Sequence, residues 1–230
     1  MTIKPHFTAA SHMNGHFESA DAAHAFINAV TPGKIKRGRE AQEVGNALME
    51  YGVRAALDRA RNTDTRSEEF RSVMVKRVGD LAGRGSVEDV KDAHSMAVAL
   101  ELPMNDVMRE MIGKVPELAA NHRFKALRVM QDKFGLTVDD LKEGIKLGMG
   151  KLIRNGHVLL ALRLESEFEI DRNYTKGEVI SSIRALNNRG DDDTAGLAVY
   201  EFGITRSELA ELYLLRDALV VIRRDAMATG

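Results

Sequence analysis

Three histidines near the start of the chain, His6, His12 and His16, are spaced so that they could gather a metal ion. Zinc sites need three or four preorganised ligands. The surrounding stretch from Met1 to Glu18 mixes His, Ser, Thr, Asn and Gly without apolar periodicity, so it reads as a mobile polar arm that cannot hold them in place. No metal site is expected. Asp191-Asp192-Asp193 has charge for calcium but lacks the alternating ligands and distant Glu of an EF-hand loop. Acidic residues ahead of a helix more simply offset its N-terminal partial charge and cap its free N–H groups. The dense basic run Lys34-Ile35-Lys36-Arg37-Gly38-Arg39 offers Lys34, Lys36, Arg37 and Arg39 as contacts for a polyanion, phosphate or anionic lipid. His24, His94, His122 and His157 are scattered, the last two in or beside loops.

Enzyme signatures are missing. There is no nucleophile elbow, phosphate loop, dinucleotide fingerprint or metalloprotease helix. With no cysteine there is no thiol nucleophile, thiolate metal site or disulfide framework. Gly144, Gly148 and Gly150 are spaced for close helix approach, or a kink, rather than for cradling a phosphate. No cofactor is implied, and the chain reads as non-enzymatic. A net charge of −1 gives no global attraction to a polyanion or membrane surface, and the absence of Trp counts against an aromatic base-stacking platform. No apolar run reaches transmembrane length and no signal-peptide pattern opens the chain. The expected setting is cytoplasmic, or a host cytosol reached by secretion without a cleaved signal peptide. A polar, cysteine-free arm ahead of a helical domain resembles the layout of many bacterial secreted effectors.

The elements that would position any site repeat. Phe202-Gly203-Ile204-Thr205 is preceded at thirty-four-residue steps by Phe168-Glu169-Ile170-Asp171, Phe134-Gly135-Leu136-Thr137 and Leu100-Glu101-Leu102-Pro103. In the same register Ala93, Leu127, Ala161 and Ala195 align, as do Met96, Met130, Leu164 and Ala198. Spacings of three, four and seven give each unit a first helix with one apolar stripe. A tight turn follows, where a Gly in two of the four copies can take a left-handed conformation and the next Leu or Ile plugs back into the core. Second-helix columns are Val107, Leu141, Thr175 and Leu209, then Met111, Ile145, Val179 and Tyr213. Thr205 with Glu208 has the form of a capping box, Thr137 with Asp140 a looser one, and Thr175 with Glu178 one four residues late. The expected fold is all-α: a right-handed stack of helical hairpins with a 34-residue period over 86–230, behind an irregular cap pair over 40–85.

Upstream, a short helix is expected from Asp21 to Val30, broken by Thr31-Pro32-Gly33, with the basic run in a linker. The polar arm and linker thus occupy 1–39 and the repeat domain 40–230. A long helix over Glu40–Arg61 would turn Val44, Leu48, Tyr51, Val53, Ala55, Ala56 and Leu57 inward. Thr65 with Glu68 would cap the next helix, which carries Phe70, Val73, Met74, Val78 and Leu81 and ends at Gly83-Arg84-Gly85.

The period resembles that of tetratricopeptide repeats, without their Trp-Leu-Gly-Tyr and Ala-Phe-Pro pattern. Thr194-Ala195-Gly196-Leu197-Ala198 followed by Phe202-Gly203 looks like the opening of an ankyrin repeat, without its Thr-Pro-Leu-His signature. What this likeness implies is a scaffold that recognises another macromolecule on its repeat surface. Ala198 to Leu209 also looks like a DNA-binding helix-turn-helix, but Glu208 among its first recognition residues opposes a phosphate backbone. The function expected is protein binding, as an adaptor, inhibitor or effector. The alternative is a nucleic-acid-binding module using the basic run with Lys142, Lys146, Lys151 and Arg154. Leu214, Leu215, Leu219, Val220 and Ile222 would form an apolar patch through which a second copy could stack.

Overall fold

The computed structural model describes residues 20–210, in which every regular element is a helix and no strand occurs. The chain groups into two compact units, 1–74 and 75–230. The arm at 1–18 with its histidines, Tyr213 and the apolar patch at 214–222 lie outside the described residues.

In the first unit, α1 (Ala20–Tyr51) packs against α2 (Val53–Ala60). Thr31-Pro32-Gly33 does not break the chain: α1 runs through it, and the basic run is helical rather than a linker. Proline in a helix interior forfeits one backbone hydrogen bond, about 3 kcal/mol. Its fixed φ is nonetheless a helical one, and the turns on either side carry the helix past it. The break comes instead at Gly52, whose φ of 86° lies where L-residues are strained. The inward face of α1 therefore ends at Leu48, joined by Ala41, Val44 and Ala47 and met by Ala56 and Ala60 of α2. Tyr51, expected inside, is 71% exposed because the chain turns immediately after it.

Ser67, not Thr65, starts α3 (Glu68–Ala82), its Oγ accepting from the Phe70 N–H at 3.3 Å. Asp64 holds the preceding turn through the Arg66 N–H at 3.2 Å. The division between the compact units falls inside α3.

The second unit continues through α4 (Val87–Ala99), α5 (Met104–Ile112), α6 (Val115–Ala120), α7 (Phe124–Phe134), α8 (Val138–Arg154), α9 (Val158–Glu167), α10 (Arg172–Asn188) and α11 (Asp192–Glu201). A further helix opens at 206. Ser86 caps α4 by accepting from the Asp89 N–H at 2.9 Å. The Thr137–Asp140 capping box, loose on sequence grounds, is complete: the Thr137 N–H donates to Asp140 at 2.7 Å and the Asp140 N–H to Thr137 at 3.2 Å. Thr175 caps nothing. Asp171 starts α10 by accepting from the Asn173 N–H at 2.9 Å, which leaves Thr175 buried one turn in. The helical segment after Pro103 comes in two pieces, α5 and α6. Pro116 sits in the first turn of α6 and has no N–H to donate back across Gly113-Lys114.

Left-handed helix ends recur at 34-residue steps. Positive φ recurs at Glu101, Gly135, Glu169 and Gly203 where first helices end, and at His122, Gly156 and Gly190 where second helices end. At most of these ends the N–H one residue on reaches back five residues. Leu102 bonds Ala97 at 3.0 Å, Ile170 bonds Glu165 at 3.0 Å and Ile204 bonds Val199 at 2.9 Å. Arg123 bonds Leu118 and His157 bonds Leu152, both at 2.8 Å, and Asp191 bonds Leu186 at 3.0 Å. These are the bonds by which a left-handed residue closes a helix C-terminus.

The stripe and turn columns are all buried, from Ala93, Met96, Leu100 and Leu102 in the first copy to Ala195, Ala198, Phe202 and Ile204 in the last. First helices α4 and α7 pack together, as do α9 and α11, while α6, α8 and α10 pack in succession. Gly144 and Gly148 permit the α6–α8 contact: an added Cβ would lie 2.7 Å from Val115 and 2.3 Å from Ala119 respectively. Between copies, His94 meets the Phe134 ring edge-on at 5.1 Å between centroids, and Arg128 lies over Phe168 at 4.5 Å.

Candidate functional site

The basic run lies on α1. On a helix at 100° per residue, Lys34, Lys36, Arg37 and Arg39 spread around the circumference. Lys36 pairs with Glu40 at 3.8 Å and Arg37 with Glu69 at 3.4 Å, while Arg39 is exposed.

The second-helix cations are matched as well. Lys142 pairs with Asp139 at 2.8 Å and Lys146 with Glu143 at 2.7 Å. Lys151 reaches Glu117 at 2.6 Å, thirty-four residues away, as Lys114 reaches Asp80 at the same distance. Arg154 bonds Glu178 at 2.8 Å and Ser182 at 2.9 Å. The Lys142 and Lys146 pKa values rise through their Asp139 and Glu143 hydrogen bonds, and the Glu143 and Glu117 carboxyls fall through Lys146 and Lys151. The Lys151, Lys114 and Arg154 pairs join neighbouring elements, whereas the Lys142 and Lys146 pairs lie within α8. The helix opening at 206 is similarly occupied. Glu208 accepts from the Thr205 N–H at 2.8 Å and from Lys176, so its carboxylate sits where a recognition helix would meet phosphate. Asp191 caps α11 through the Thr194 N–H at 3.3 Å, as its acidic run suggested.

Two other surfaces are distinctive. On the first helices, Val98 (55%), Leu159 (62%), Leu197 (41%) and Tyr200 (81%) are large apolar side chains left exposed. Scattered single exposures are ordinary, but these four lie on three first helices of the repeated register.

The second is a cleft of about 400 Å³ where the loop after α6 meets α9. Its lining includes His122, Arg123, Phe124, Lys125, Arg163 and Glu167. The His122 ring stands perpendicular to His157 at 5.0 Å between centroids, and Arg163 lies 6.0 Å from the centre of the Phe124 ring. Arg163 also pairs with Glu167 at 3.5 Å. Arg123 and Lys125 make no ion pair among the described residues. Gly85, at φ 79°, makes room for the Arg123 stem: a Cβ there would lie 2.7 Å from Arg123 Cγ. No side chain caps α7.

Sequence reasoning placed His122 and His157 as loop residues and passed over Arg123, Lys125 and Arg163. The available signal was the charge at the head of each first helix. Asp191 leads α11 and Glu88 and Asp89 open α4, whereas Arg123 and Lys125 flank the start of α7, against the helix dipole. Among the described residues no cluster of three or more His, Cys, Asp or Glu could hold a metal ion, and no helix is long and apolar enough to cross a membrane. No protein family, curated protein or solved structure matches the chain.

Proposed function

We propose that this chain is an α-helical repeat scaffold, a right-handed stack of helical hairpins that binds another protein through the exposed positions of its units. The observation that carries the reading is the recurrence of left-handed helix ends at Glu101, Gly135, Glu169 and Gly203, thirty-four residues apart. A constant turn on a constant interval presents corresponding surface positions in order, while the residues at those positions are free to vary. They do vary: the column of Val98 holds Asp132, Ser166 and Tyr200, and that of Leu159 holds Lys125 and Asp193. Exposed Leu159, Leu197 and Tyr200 supply the apolar and aromatic anchors from which interface energy usually comes. The matching of Lys142, Lys146, Lys151 and Arg154 by carboxylates favours a protein over a nucleic acid. A cytosolic setting, of the producing cell or of a host cell reached by secretion, fits the absence of cysteine.

The test is affinity capture with and without nuclease, using the wild-type chain and the double variant Leu159→Glu, Tyr200→Glu. Both substitutions fall on exposed positions, so helical content by circular dichroism should not change. The expected result is a protein that survives nuclease and is lost with the double variant. Retention of that protein by the variant would remove the first-helix surface from the reading. Partners that disappear with nuclease would replace it with nucleic-acid binding.

A further inference from the structure

We propose that the cleft at the head of α7 is a binding site for a phosphate monoester. Three cationic side chains, Arg123, Lys125 and Arg163, line it with a single carboxylate, Glu167, a net charge of +2 over these four. That charge matches a phosphate dianion. The contrast with Lys114 and the cations of α8 is what singles the place out. Lys114, Lys142, Lys146, Lys151 and Arg154 each have a carboxylate within 3 Å, whereas Arg123 and Lys125 have none.

A concave, predominantly positive wall concentrates field in a way that a flat surface does not. The floor is apolar, with Phe124, Ala126 and Leu160 in the lining, and the Arg163 guanidinium lies 6.0 Å from the centre of the Phe124 ring. Arg123 is held by its stem against Gly85 rather than by a salt bridge, so its planar fork is free to take two phosphate oxygens. Placing Arg123 and Lys125 beside the positive end of α7 is unfavourable in an empty cleft and is relieved when an anion arrives. The same chemistry could come from a free phosphate ester or from a phosphorylated side chain of another protein.

The full chain tests this by NMR, following the His122 imidazole while inorganic phosphate or a phosphoserine peptide is added at fixed ionic strength. Acetate serves as the control anion. Saturable shifts are expected with phosphate and not with acetate, weakened about tenfold in Lys125→Gln and unchanged in Lys142→Gln, whose lysine is already paired with Asp139. Lys125 is exposed and makes no ion pair, so its variant should fold normally, and Arg123→Gln provides a second loss. Tighter binding of the peptide than of phosphate would identify a phosphorylated partner. Equal binding would identify a free ester. Shifts that never saturate, that acetate reproduces, or that persist in Lys125→Gln would overturn the site.

Discussion

The α7–α8 and α9–α10 hairpins meet the same geometric demands with different chemistry. Where α7 ends the left-handed residue is Gly135, at φ 67°; where α9 ends it is Glu169, at φ 52°. The buried second-helix position is Leu141 in one and Thr175 in the other, each with no exposure. Gly144 and Gly148 let α8 lie close on α6. The corresponding positions in α10 are Glu178 and Ser182, which bond Arg154, and Ser182 Oγ also donates to the Gly150 carbonyl at 3.2 Å. Gly150 has its own reason: a Cβ there would lie 1.9 Å from Glu178. One hairpin is held by close apolar approach and the other by a polar network. The two hairpins therefore share turn conformation and burial more closely than residue type.

The largest effect should come from filling the close approach. Gly148→Val places side-chain atoms against Ala119 and the Pro116 carbonyl, and should cost about 3 kcal/mol in denaturant unfolding. Gly177→Ala in α10 meets nothing within 4 Å and should instead stabilise by about 0.5–1 kcal/mol through helix propensity. Equal effects of the two changes would end the distinction between the hairpins.

The polar hairpin buries Glu165, 6% exposed, which accepts from Thr175 at 2.7 Å and from Arg172 at 2.9 and 3.1 Å. Thr175→Leu removes a donor from a buried carboxylate and should destabilise by about 1–2 kcal/mol. Adding Glu165→Val gives the network the residues found at Leu141 and Val199 and should recover most of that loss, since an apolar pair replaces a half-satisfied one. A double variant no more stable than the single would mean that the network, and not its burial, holds α9 to α10.

The turns offer a smaller test. Glu169→Gly should stabilise by about 1 kcal/mol and Gly135→Ala should destabilise by a similar amount, because only the glycine is unstrained at positive φ. Thermal unfolding of the two variants would read opposite shifts. Shifts of one sign would show that the side chain at 169 makes up for its backbone strain.

The same contrast explains what could be read in advance. The first-helix columns were legible because their positions are both buried and apolar in every copy, as Met96, Met130, Leu164 and Ala198 illustrate. The turns were legible because Gly135 and Gly203 mark a conformation that Glu101 and Glu169 then share. Outside the register no second copy corrects a local signal. Pro32 and Gly33 look like a stop and are not, whereas Gly52 looks like an interior residue and ends α1. Thr65 and Ser67 both suit a cap, and the Asp64 turn decides between them. The cleft was hidden for another reason: His122, Arg123, Lys125 and Arg163 occupy different columns, and only the packing of α9 beside the α6–α7 loop assembles them.

The smallest effect compares two capping boxes. Thr137 with Asp140 and Thr205 with Glu208 share one set of backbone bonds, and both acids are lowered from their ordinary values, Asp140 by its Thr137 bonds. Glu208 has in addition Lys176 from α10, whose hydrogen bond leads the causes that lower its carboxyl from 4.5 to about 2. Because the folded value lies below the unfolded one, the stabilisation is complete above about pH 4.5 and fades as pH falls toward 2. Solvent reaches the pair, so the change in stability across that window should be slight and weaken further with salt. The direct measurement is the carboxyl 13C titration of Glu208. Its midpoint should lie near 2 in the wild type and rise in Lys176→Met, while that of Asp140 stays where it was. A wild-type midpoint near 4.5 would mean that neither Lys176 nor the Thr205 cap holds the Glu208 carboxylate.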